Sequence, residues 1–168
     1  MGAVKVDAAR SALNSLNPDV TIISVHKRLE DFSAVSSADI VLDCTDNFAT
    51  RHAINRACVK YGKPLVSGAA IRFDGQLMVF DLRKKESACY ACLFPEDAQV
   101  EEVQCSTMGV FAPLTGVIGA AQAMEAMKLV VGIGETRPSR IQNIDAKSGE
   151  WRVANVPRDP DCAVCRGR

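Results

Sequence analysis

Apolar positions recur at helical spacing in "VDAARSALNSLNPDV", predicting an amphipathic helix from about Lys5 that stops at Asn17-Pro18. "TIISV", residues 21–25, reads as a short strand. "ADIVLDC" carries Ile40, Val41 and Leu42 in an unbroken run, the composition of a buried strand. "TDNFATRHAINRACVKYG" then opens on a cluster of capping residues and keeps helical spacing through Phe48, Ile54, Ala57 and Cys58. It stops at Gly62. "KPLVSGAA" resumes as a strand, so this stretch is a strand–helix–strand crossover with parallel neighbours.

Beyond it the pattern changes. "AAIRFDGQLMVFDL" sets Asp74-Gly75 between two apolar runs, a hairpin signal, and "RIQNIDAKSGEWRVANV" repeats it around Ser148-Gly149. Between them "APLTGVIGAAQAMEAMKLVVG" reads as a long helix rich in small residues that must be largely buried. Pro95 to Thr107 has acidic residues and no period, and reads as a mobile loop. No internal repeat or linker stands out. The expectation is one α/β domain over residues 1–168, with a Rossmann-like mixed sheet that is parallel first and antiparallel in its C-terminal hairpins.

Composition narrows the function. Of 168 residues, 48% are hydrophobic and 24% charged, and 20 Lys+Arg balance 20 Asp+Glu. No bulk charge points to nucleic acid or an anionic membrane surface. The run Arg83-Lys84-Lys85 reads as a solvated turn. Gly109 to Val131 is interrupted by Glu125 and Lys128, so no membrane span is expected, and the N-terminus lacks a signal pattern. A cytoplasmic setting follows.

Seven cysteines are too many to ignore. Cys89 and Cys92 in "CYAC", and Cys162 and Cys165 in "CAVC", form two C-x-x-C knuckles. Each knuckle brings two sulfurs onto one ion, and four thiolates suit tetrahedral zinc. A closed set of four sulfurs is structural, and would staple the C-terminal tail to the segment after the first hairpin. A redox C-x-x-C is the alternative, but neither pair clearly opens a helix. Cys44 and Cys58 fall in a strand and a helix and read as small core residues.

"VLDCTDN" places Asp43 and Asp46 at the carboxyl end of a central strand, the edge where open α/β sheets bind ligands. A carboxylate there can hold Mg²⁺ together with phosphate oxygens. Spacing alone favours the blander use, capping of the following helix by Asp46. Arg51, one turn into that helix, faces either the same crevice or solvent. No glycine-rich phosphate loop follows a strand; Gly132-Ile133-Gly134 follows a helix and reads as its cap.

Taken together, "VLDCTDNFATR", "PLVSGAAIRFDGQ", "CYACL", "MGVFAPLTGVIGAAQAMEAMK" and "CAVC", in this order, resemble the ThiF/MoeB/HesA family. That family is related to the adenylation domains of ubiquitin-activating enzymes. The resemblance implies an enzyme that binds MgATP and adenylates the C-terminal Gly-Gly of a ubiquitin-like sulfur-carrier protein in thiamin, molybdopterin or thiolation pathways. It implies that Asp46 serves the Mg²⁺ and triphosphate, with Asn47 and Arg51 as cofactor-binding neighbours. It implies zinc at Cys89, Cys92, Cys162 and Cys165, and a homodimer. Cys105 matches a cysteine that in some members forms a covalent adduct with the activated carrier, although Glu101 and Glu102 nearby would raise a thiol pKa. The family's N-terminal phosphate loop has no counterpart, so the chain resembles the C-terminal two-thirds of a member, complete only with MgATP-binding residues upstream. The competing expectations are a non-catalytic carrier-binding or dimerisation module that keeps the zinc site, and an NAD-dependent oxidoreductase, for which no fingerprint is present.

Overall fold

The computed structural model describes residues 2, 4–98, 108–134 and 139–168. They divide into two compact units, residues 1–31 and 32–168. In the first, α1 (Lys5–Leu16) ends at Asn17 as the pattern predicts, and none of its residues is buried. Ser24 Oγ donates to Asp7 Oδ1 at 3.2 Å, tying the following segment back to the helix. The strand expected at residues 21–25 does not form. A strand needs a hydrogen-bonded neighbour, and this unit of one helix and a connector contains no sheet edge to supply one.

The second unit is built on five strands in the order β1 (Val41–Asp43), β2 (Leu65–Ile71), β3 (Asp74–Phe80), β4 (Ser139–Asp145) and β5 (Glu150–Asn155). β1 and β2 are parallel and the other pairs antiparallel, the mixed sheet expected from the sequence. The crossover between β1 and β2 is α2 (Phe48–Tyr61), closed by Gly62 in the left-handed conformation, φ 61°. On one face of the sheet Ile54 and Cys58 of α2 pack with Leu65, Met78, Phe80, Tyr90 and the C-terminal cysteines. The other face carries α4 (Ala112–Val131), where Leu129 joins Val66, Leu77 and Val79. The short α3 (Tyr90–Leu93) packs on the α2 side, its Tyr90 and Ala91 joining the same cluster.

Two expectations are corrected here. The first hairpin does not turn on Asp74-Gly75: Asp74 pairs with Ile71 and Gly75 with Ala70, so the turn is Arg72-Phe73, with Arg72 at φ 49°. Gly75 serves packing instead. A Cβ on it would lie 2.5 Å from Ile144 Cγ2 and 2.8 Å from Ile118 Cδ1, so its absence lets β3 pass beneath α4. The second hairpin does turn at Ser148-Gly149, with Gly149 at φ 75°.

α4 is also not largely buried. Leu114, Ile118, Gln122, Glu125 and Leu129 form a buried stripe at helical spacing, while Val117, Met124, Met127, Val130 and Val131 are exposed. By length and composition alone α4 could cross a membrane; in this fold it lies on the sheet with Gln122 and Glu125 buried. Glu125 is neutralised there by Lys128 Nζ at 3.1 Å and by Arg140. Arg83-Lys84-Lys85 is a turn, as expected, with Arg83 Nε 2.7 Å from the buried Asp81.

Candidate functional site: a strand-end crevice and a four-thiol cluster

Successive side chains of a strand point to opposite faces, and the end of β1 uses both. Asp43 turns toward α2 and is buried. Its Oδ1 accepts from Thr45 N at 2.9 Å and Thr45 Oγ1 at 2.7 Å, and its Oδ2 from Ser67 Oγ at 2.9 Å. Cys44 points the other way. It is exposed, past the last residue of β1, with Sγ 3.5 Å from Gln122 Oε1; its assignment to the core is therefore corrected. Cys58 is in the core as expected, and burial pushes its thiol up to about 12, with the Asp43 charge adding to the shift.

The turn after β1 is clamped from three sides. Arg51 of α2 donates from Nε and Nη2 to Thr45 O, at 3.1 and 2.7 Å. Gln122, buried in α4, donates from Nε2 to Asp43 O and Val66 O at 3.0 and 3.2 Å, bridging β1 and β2. Gly68 leaves room for that side chain, because a Cβ at this position would collide with the Gln122 amide. Asn47 caps α2, its Oδ1 accepting from Thr50 N at 2.8 Å. Capping, which the sequence left as one use of Asp46, thus belongs to its neighbour.

Asp46 is left exposed at a crevice of about 300 Å³, lined also by Cys44, Arg51, Ala70, Thr115 and Gln122. Val110 is shared with a groove of about 600 Å³ at the hairpin tips, where Arg72, Phe73, Phe111 and Lys147 meet. A carboxylate held at a strand end beside such a crevice is placed to take a divalent cation with ligand oxygens. Arg51 reaches the crevice but spends two donors on Thr45.

The second site is the cysteine set. Sγ atoms of Cys89, Cys92, Cys162 and Cys165 all lie within 4.8 Å of one another, close enough for one metal ion. The separations are 3.8 Å for Cys89–Cys162, 3.9 Å for Cys89–Cys92 and 3.5 Å for Cys92–Cys165. A tetrahedron with metal–sulfur bonds of about 2.3 Å has edges of about 3.8 Å, so the set fits zinc. Three of the four residues are buried, and Cys92 is half-buried. A hydrogen bond shared with Cys89 holds the Cys92 thiol below its ordinary pKa and Cys89 above.

The tail carrying Cys162 and Cys165 is fastened by more than sulfur. Arg158 donates to Lys85 O and Cys165 O, at 3.0 and 2.6 Å. Arg168 donates to Leu82 O and Ser87 O, at 2.7 and 2.6 Å. Asn55 of α2, fully buried, touches the cluster: its Nδ2 is 3.5 Å from Cys89 Sγ and its Oδ1 accepts from Tyr90 N at 2.9 Å. Tyr90 stacks edge-on against His52, 5.3 Å between centroids, and burial pushes the Tyr90 phenol up.

Asp46 and Arg51 therefore come together at one crevice, Asn47 beside them caps α2 and is not part of its lining, and the four cysteines meet at another place. Cys105, with Glu101 and Glu102, lies outside the described residues, as does most of the expected loop. Sequence reasoning missed Asn55 and Gln122. Each is a polar side chain on the buried face of its helix, and that misplaced polarity was the available signal.

Comparison with known proteins bears on the family and the fold. The chain is 44% identical over 166 residues to the sulfur carrier protein ThiS adenylyltransferase of Escherichia coli K12, covering 97% of this chain and 65% of that protein. It is 43% identical over 171 residues to the molybdopterin-synthase adenylyltransferase of Salmonella typhimurium LT2, covering 98% and 67%. The chain thus spans about two-thirds of the length of these relatives. The crystal structure of E. coli MccB with ATP superposes with a TM-score of 0.78 at 19% identity, over 99% of this chain and 52% of that one, and shows the shared fold. Residues 1–164 match the ThiF family, and the chain belongs to that family.

Proposed function

We propose that residues 1–168 are part of a ThiF-type adenylation domain that activates the C-terminal Gly-Gly carboxylate of a ubiquitin-like sulfur-carrier protein. The observation that carries the reading is Asp46. The cap is made by Asn47, so the Asp46 carboxylate stands at the crevice free of that structural duty. Similarity to two adenylyltransferases over nearly the whole chain supports it.

MgATP, when bound, supplies the adenylyl group and a pyrophosphate leaving group. Asp46 would hold the metal, whose charge would offset the repulsion between an attacking carboxylate and the phosphates. Asn47 and Arg51 flank it, and Arg51, with Asp43, keeps the Thr45–Asp46 turn in place. The groove from Arg72 and Phe73 past Val110 offers an extended carrier tail a route to the crevice. The four cysteines hold a structural zinc. Cys105 would act on the carrier after adenylation. None of the six described cysteines is in a disulfide, which suits a reducing, cytoplasmic setting.

A second reading, a carrier-binding or dimerisation module, is favoured by the exposed apolar face of α4 at Met124, Met127 and Val130, which suits a second copy of the chain. Carrier-dependent ATP–pyrophosphate exchange by the native protein decides between them. Asp46→Asn is expected to lower exchange by at least ~100-fold, the scale for losing one electrostatic contact to the transition state. Exchange that is absent in the unaltered protein, with the carrier still bound, would favour the module.

A further inference from the structure

Asn55 sits in the middle of α2, is wholly inaccessible to solvent, and plays no part in the crevice. A buried carboxamide is costly unless both of its ends are bonded. Its orientation is fixed by its neighbours. The backbone N–H of Tyr90 can only donate, so the amide end 2.9 Å from it must be the carbonyl. The NH₂ end then points at Cys89 Sγ, 3.5 Å away. A sulfur that receives an N–H needs an available lone pair, and a metal-bound thiolate offers it far better than a thiol. A leucine of similar volume would fill the space if the four cysteines merely packed together.

We propose that Asn55 is a positioning residue of the metal centre. Its side-chain N–H holds Cys89 in the orientation that binds the ion, while its carbonyl fixes the start of α3. The inference rests on reading the four thiols as a zinc site. It extends that reading by making α2, the helix whose first turn carries Arg51, a part of the metal's outer support. Asn55 itself does not ligate: Cys89, Cys92, Cys162 and Cys165 already complete a set of four.

The test uses the full chain loaded with Zn²⁺ or Co²⁺. Asn55→Asp keeps the size and the acceptor for Tyr90 N–H but replaces the donor with an oxygen that repels the thiolate. Competition with a chromophoric chelator is expected to show Zn²⁺ affinity lowered roughly 10- to 100-fold, the range for losing an outer partner of a ligand. The Co²⁺–thiolate charge-transfer band should move to lower energy, because an unbonded sulfur lone pair is easier to ionise. Ile54→Val, one residue away on the same helix, should change neither. Wild-type affinity and an unshifted band in Asn55→Asp would overturn the proposal.

A measurement on the unaltered chain guards against a variant that does not fold. With ¹¹³Cd in place of zinc, a through-bond coupling between the metal and the Asn55 side-chain protons is expected. Its absence, in a sample with a four-thiolate cadmium shift, would overturn the proposal. A chain that takes up Co²⁺ without a four-thiolate spectrum would sink the metal reading itself, and this inference with it.

Discussion

The four-thiol cluster and the strand-end crevice share one helix and are built in opposite ways. The cluster is buried and over-determined. Four sulfurs, two arginine clamps and Asn55 converge on it, and most of those groups have no other task. The crevice is open, and the carboxylate it presents is not among the groups that shape it. Asp43, Gln122 and Asn47 hold the turn, so that Asp46 need not. A structural site gains by consuming every donor and acceptor; a binding site must leave some uncommitted.

The sharpest way to break the contrast is to remove the metal. Chelation, or Cys165→Ser, should release the C-terminal segment and cost about 5 kcal/mol, or roughly 10–20 °C in Tm for a chain of this length. Calorimetry with and without chelator checks it. An unchanged Tm would mean that hydrogen bonds and packing alone hold the tail.

At the crevice the support matters more than the exposed residue. Asp43→Ala strands the N–H of Thr45 and the hydroxyls of Thr45 and Ser67, and should cost on the order of 3 kcal/mol in denaturant unfolding. Asp46→Asn should change stability by less than about 0.5 kcal/mol. Equal costs would erase the division of labour. Asn47→Ala removes the cap of α2 and should cost about 1 kcal/mol by the same measurement.

The smallest effect concerns His52, which lies between the two sites. Burial lowers its pKa below the ordinary value of 6.5; Glu96 at 3.7 Å opposes the shift and Arg56 adds to it. The unfolded chain therefore binds the proton more readily than the folded one. Stability is full above about pH 6.5 and declines as pH falls through that value toward the folded pKa. His52→Gln should flatten the Tm-versus-pH curve between about pH 7 and 5. A slope that survives the substitution would assign the acid sensitivity to other groups.

Much of this architecture was legible. α1, α2 and the second hairpin follow from spacing and terminal residues, and the cysteine spacing announced a site that only a folded sheet could close. What could not be read was which of two duties a residue performs. Asp74-Gly75 has the composition of a turn, but Gly75 is a glycine because Ile118 and Ile144 press on it. Asp46 and Asn47 are adjacent residues with equal capping ability, and the chain gives the cap to the second. The run at residues 21–25 has strand composition but no partner within its unit. The first and last of these depend on residues far apart in the chain, which local pattern does not encode.

The two knuckles lie 73 residues apart, and this has a consequence for biosynthesis. At about 5–20 residues per second, Cys89 and Cys92 are added some 4–15 s before Cys162 and Cys165. Once it emerges the first knuckle is a dithiol with no second pair, open to oxidation or to a stray ion. Closure of the centre therefore waits on the second knuckle, and a nascent protein that loses its race with oxidants would carry a Cys162–Cys165 segment that never docks.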